Sequence, residues 1–229
     1  MEKRYSLFNA YVWGIAGLGL ILLATHIPKF QDGYCLLDVL FIGVMVACGE
    51  AVAVPFPRGK GTASMATPLM FTAIVLYGPA IGMWVAALAT LRKRDLSGEV
   101  PLGVVLFNRG MLTLCAYVFA KVYQFVYGEF GSIEFPRGLF AFILAASAFT
   151  LLNAILIGKG LAFQLRTSFA SIWRRNIAWM LPNMFALFPV GALMVLVVQQ
   201  TSPLVLVFFY LPLLVKKVSL QKYIDFWDT

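Results

Sequence analysis

A single histidine, His26, stands in a chain of 229 residues, and only ten carboxylates accompany eighteen lysines and arginines. One imidazole cannot furnish a histidine-based zinc site or a paired general base. The three cysteines, Cys35, Cys48 and Cys115, lie too far apart for a CxxC redox or metal motif. Cys48 and Cys115 fall within apolar runs and read as small core residues. The closest carboxylate pair in the loops, Asp95 and Glu99, sits in what reads as an exposed hinge. Arg58-Gly59-Lys60-Gly61-Thr62 has neither the spacing of a phosphate-binding loop nor a strand before it, so it reads as a flexible turn. These absences point away from hydrolytic, redox and metal chemistry. The chain reads as a non-enzyme that needs no metal and no cofactor.

Charge is scarce altogether, at 12% of residues, whereas 61% are hydrophobic. A soluble domain of this length cannot hide so much apolar surface. The apolar residues gather in eight segments, at 7–27, 35–54, 62–77, 79–94, 102–127, 137–158, 177–198 and 203–219. With the N-terminus cytoplasmic, the inner side holds Lys3, Arg4, Arg58, Lys60, Arg92, Lys93, Arg94, Lys159, Arg166, Arg174, Arg175, Lys216, Lys217 and Lys222. The outer side holds only Lys29 and Arg137, a ratio of fourteen to two. Basic residues flanking spans stay in the cytoplasm, which predicts an all-α transmembrane bundle of about eight spans with both ends inside. The expected location is the bacterial inner membrane, and the lipid bilayer is the first partner. The net charge of +8 follows from that same asymmetry and does not require nucleic acid. The first segment is too long for a removable leader and lacks its cleavage site, so it is expected to remain as span one.

Within this frame the chain divides into a bundle at 1–215 and a cytoplasmic exit helix at 216–229. No linker, low-complexity tract or internal repeat marks a further boundary. Spans three and four are short and joined by Tyr77-Gly78-Pro79, which predicts a tight hairpin that tilts little, thins the bilayer or re-enters. Pro68 is expected to remove a backbone hydrogen bond inside span three, which either merely kinks the helix or opens a polar cavity near Thr62, Ser64, Thr67 and Thr72. The Gly78–Gly82 spacing is a weak helix-packing signal. Between Gly158 and Asn176, Leu161, Phe163, Phe169, Ile172 and Trp173 alternate with basic residues. That pattern suits a short helix in the headgroup layer or a topology-setting loop.

Polar residues inside the spans carry the remaining information. Asp38 and Glu50 lie at opposite ends of span two. Asn108-Arg109 and Lys121 lie at opposite ends of span five, and Asn153 and Asn183 sit in spans six and seven. A buried charge costs several kcal/mol unless it is paired, so two ion pairs are expected, Glu50–Arg109 and Asp38–Lys121. Arg109 or Lys121 could alternatively serve an anionic small-molecule ligand, and Lys121 could snorkel outward. Beyond Lys216-Lys217, Leu220, Tyr223, Ile224 and Trp227 share one face of the predicted exit helix, which suits contact with a membrane or cytoplasmic protein.

Three stretches carry a resemblance to a known class. They are Val105-Leu106-Phe107-Asn108-Arg109-Gly110 with its Tyr127-Gly128 exit, Tyr77-Gly78-Pro79-Ala80, and the closing Leu211-Pro212-Leu213-Leu214 that runs on to Tyr223-Ile224. Together they resemble the multi-span membrane module that precedes HD-GYP and GGDEF domains in bacterial cyclic-di-GMP signalling proteins. The resemblance implies a sensory or regulatory module acting through its last helix, with Asn108 as the motif asparagine of span five. The catalytic residues of those domains are not among the 229, which is expected to leave this chain without a reaction of its own. Two other readings stand beside it, a structural subunit of a larger membrane complex and a substrate-capturing subunit of an uptake system.

Overall fold

The computed structural model describes residues 2–28, 36–51, 54–55, 62–64, 66–91, 95, 97–178 and 180–210. The proposed exit helix, with Lys216, Lys217, Leu220, Tyr223, Ile224 and Trp227, lies outside the described residues, as does the turn from Arg58 to Gly61. The fold is built from helices. α1 is Glu2–Thr25, α2 Leu36–Ala51, α3 Ala66–Leu88, α4 Leu102–Val126 and α5 Arg137–Gln164. After one turn at Phe169–Ile172 (α6) and a π-helical turn at Trp173–Ile177 come α7, Leu181–Phe185, and α8, Phe188–Gln200. The one sheet among the described residues is a two-residue ribbon, Val54–Pro55 (β1) against Thr62–Ala63 (β2), running antiparallel. Among the described residues, five helical stretches are long and apolar enough to cross a membrane.

α3 is not a single rod. Gly78 has φ 81° and ψ 179°, a left-handed conformation that glycine adopts without steric cost. Pro79 follows and lacks an N–H, so the carbonyl of Val75 loses its helical donor. That carbonyl accepts instead from the N–H of Gly131, at 2.7 Å. Gly82 then lies on Ile74, close enough that an added Cβ would come 2.9 Å from the Ile74 Cα. Residues eight apart on a straight helix are about 12 Å apart along its axis, so this contact requires the chain to double back. The turn expected at Tyr77-Gly78-Pro79 is thus a hairpin with arms at 66–77 and 79–88. Gly82 of the Gly78–Gly82 pair serves that reversal.

The hairpin forms the centre of the bundle, and nearly every side chain in it is buried. Phe71 stacks on Phe119 of α4, with centroids 4.9 Å apart, and meets the edges of Phe142 and Phe149 of α5 and Phe188 of α8. α1 and α4 run in the same direction. Val12 and Trp13 meet Gly103, Ile15 and Ala16 meet Gly110, and the His26 ring sits edge-on to Tyr117. An added Cβ at Gly110 would come 2.5 Å from the Ile15 carbonyl oxygen, so glycine is what lets the two backbones touch. α5 runs antiparallel to α4, pairing Gly138 with Tyr127 and Gly160 with Phe107. The outer surface of the bundle carries Leu20, Ile21, Leu37, Leu40, Phe140, Leu193 and Phe208, the apolar coat of a protein solvated by lipid.

Two expectations are corrected here. Pro68 does not interrupt a span: α3 begins at Ala66, and a first-turn residue has no intrahelical N–H bond to lose. Two of the hydroxyls around it are engaged with backbone. Thr72 Oγ1 donates to the Pro68 carbonyl at 2.9 Å. Ser64 Oγ donates to the Gly49 carbonyl and accepts from the Ala66 N–H, both at 3.0 Å, capping α3. The loop after span six differs too. α5 continues to Gln164, and Ile172 and Ile177 are buried against Ala154 and Leu161. Gly158 opens the space into which Phe169 and Ile177 fit.

Candidate functional site

The hairpin is short, and its shortness creates a polar corner. An arm of ten to twelve residues is about 15–18 Å long, whereas the twenty-five residues of α4 extend about 37 Å. The Gly78 turn is held by Gly131 near the Val126 end of α4, so the arms run out well before α4 reaches its Leu102 end. Arg109 stands at that level, seven positions after Leu102.

Its guanidinium meets acceptors at the foot of the second arm and in the linker that follows. One Nη donates to the Thr90 hydroxyl and to the Ala87 carbonyl, the latter at 3.4 Å. The other Nη lies 3.5 Å from Asp95 Oδ2. Thr90 in turn donates to the Ala86 carbonyl at 2.8 Å, so its hydroxyl links arginine to backbone. The side chains of Arg109 and Asp95 are 14% and 4% exposed, so this ion pair is shielded from solvent. Asp95, expected in an exposed hinge, is the carboxylate that sequence reasoning overlooked. The signal was there: an acidic residue closely following a span too short to reach the surface.

The remaining predicted residues are dispersed. Glu50 is half-buried near the end of α2, and α2 packs on α3, which separates it from much of α4. Asp38, also half-buried, is not brought to Lys121. Lys121 is exposed, with its ammonium 5.6 Å from the Tyr117 ring centroid, a cation–π distance. Asn108 is half-buried beside Arg109, and Asn183 is exposed on α7. Asn153 Oδ1 and Thr150 Oγ1, three residues apart on α5, are buried without a hydrogen bond among the described residues. His26 acts as a helix terminator: its Nδ1 lies 3.0 Å from both the Leu22 carbonyl and Thr25 Oγ1, and its own carbonyl accepts from Trp84 Nε1. No group of three potential metal ligands forms among the described residues.

A bundle coated in apolar side chains, with Arg109 paired to Asp95 in a shielded corner, defines a membrane-associated helical domain. The family comparison places it further. Residues 11–223 match the MASE9 model, and the chain belongs to MASE9, a family of membrane-associated sensory domains. No curated protein and no solved structure matches it.

Proposed function

We propose that this chain is a multi-pass sensory module of the bacterial inner membrane that passes a change in helix packing through its C-terminal segment to an output partner. The family match over 11–223 is the observation that carries this reading. The output proposed is a cyclic-di-GMP enzyme domain or protein, in keeping with the motifs around Asn108 and Gly78. α1 and α4 are parallel, which needs an odd number of crossings between them, a condition that α2 meets whether the hairpin of α3 crosses twice or re-enters. The proposal of eight crossings rests on the eight apolar segments of the sequence. The fourteen-to-two distribution of basic residues supports a cytoplasmic location for both ends.

Mechanistically, the Arg109–Asp95 corner ties the linker after α3 to α4. A stimulus that shifts the hairpin against α4 trades one packed arrangement for another, because close-packed interfaces are bistable rather than elastic. The test is native mass spectrometry of the protein gently extracted from its own membrane. A stoichiometric partner that disappears when 216–229 are deleted is the expected result. A monomer carrying a defined small molecule would replace this reading with ligand capture, which the unsatisfied Asn153 and Thr150 oxygens would favour.

A further inference from the structure

Hydroxyls on or just past the helices of this bundle follow one habit. Thr72, Thr90, Thr113 and Ser147 each donate to the carbonyl four residues back, at 2.9, 2.8, 2.9 and 2.7 Å. Thr150 departs from it. This residue is 1% exposed, and its Oγ1 has no hydrogen-bond partner among the described residues. Asn153 Oδ1, one turn further along α5, is buried in the same condition. Residues three apart on a helix are neighbours on one face, with Cβ atoms about 5–6 Å apart, so one small molecule can touch both oxygens.

The contacts on either side show what lies opposite. Toward the start of α5, Phe142 lies against Gly191 of α8. Toward its end, Ala154 clusters with Ile177 and Leu181, and Gly158 meets Ile177. Thr150 and Asn153 fall between these contacts, so they face the stretch where the apolar run Leu181–Gln200 is broken into α7 and α8. Pro182 and Pro189 have no N–H for the carbonyls of Ala178 and Phe185, which leaves that stretch rich in acceptors and poor in donors.

We propose that a single ordered water bridges α5 to this broken segment. It accepts from the Thr150 hydroxyl, donates to Asn153 Oδ1, and gives its second hydrogen to the Phe185 carbonyl. Three such partners are the usual complement of a water in a protein interior. The bridge satisfies polar groups that would otherwise be stranded in an apolar bundle. A cation is a poorer occupant, because α5, α7 and α8 contain no carboxylate to balance it. The site is independent of the sensory reading and would stand equally in a structural subunit.

The test is water-edited solid-state NMR of the full chain in liposomes, which reads magnetisation passing from water to nearby side chains. Thr150 and Asn153 should build up several-fold faster than Thr72 and Thr113, which are as deeply buried but bonded to carbonyls. T150V should cut the Asn153 transfer about three-fold, the scale of one lost hydrogen bond, whereas T150S keeps the hydroxyl and the signal. Unchanged helical circular dichroism in T150V separates lost water from lost fold, and the comparison within the parent chain stands without it. Build-up at Thr150 and Asn153 as slow as at Thr72 would overturn the proposal, as would transfer that T150V leaves intact. Asn153 signals that shift saturably with sodium but not with choline would put a cation there instead. A defined solute that co-purifies with the parent and not with T150V would put a captured ligand there, and either result also overturns the water.

Discussion

Arg109 and Lys121 occupy the same helix twelve positions apart, carry the same charge, and are treated in opposite ways. Arg109 is enclosed by Ala87, Thr90 and Asp95, whereas Lys121 faces outward with a tyrosine ring beside it. The difference traces to the hairpin between them. Around the centre of α4 the hairpin packs Phe71 on Phe119, a layer with no room for charge. At the foot of the hairpin the packing ends, and Thr90 and Asp95 stand beside Arg109. Toward the Val126 end, Lys121 lies on the lipid side of α4, where a long alkyl stem can carry its ammonium to water or headgroups. Burial of a cation here is decided by what the neighbouring helix is too short to cover.

Substitutions can break that contrast, beginning with the largest effect. Arg109→Met removes the cation beside the Asp95 carboxylate in a shielded site and should cost about 3–5 kcal/mol in equilibrium unfolding in bicelles; a loss under about 1 kcal/mol would show that the corner is not shielded. Asp95→Asn keeps the shape but removes the charge, with an expected loss of about 1–3 kcal/mol. In a double-mutant cycle with Arg109→Met the two losses should fall short of additivity by about 0.5–3 kcal/mol, and strict additivity would argue that they act separately. Thr90→Val deletes the hydroxyl between arginine and the Ala86 carbonyl and should cost about 1 kcal/mol. Lys121→Gln should leave unfolding within about 0.5 kcal/mol of the parent, and a larger loss would mean that Lys121 has a structural partner.

Much of this contrast could be read in the sequence, though not all of it. The apolar run 102–127 matches α4 at Leu102–Val126, because a membrane helix announces itself by length and composition. Tyr77-Gly78-Pro79 announced its turn for a similarly local reason, pairing a residue that tolerates positive φ with one that lacks a donor. The surroundings of Arg109 were harder to read. Depth along the axis suggested Glu50, but depth does not reveal which helix is adjacent, and α3 lies between much of α2 and α4. Asp95 was passed over because loop residues are ordinarily solvated. Its burial follows from the short hairpin, which ends beside Arg109. The continuation of α5 to Gln164 was masked by Lys159, whose charge reads as a span end although its side chain is on the exposed face.

The account depends most on α4 crossing the membrane once, with the Arg109 end inside and the Lys121 end outside. Single cysteines at Ser97 and Glu129, both exposed in the loops flanking α4, test this in cells when Cys35, Cys48 and Cys115 are replaced. An impermeant maleimide applied from the periplasm should label Glu129→Cys and leave Ser97→Cys unmodified until the membrane is opened. Labelling of both from one side, or of Ser97→Cys alone, would contradict the single crossing and its orientation.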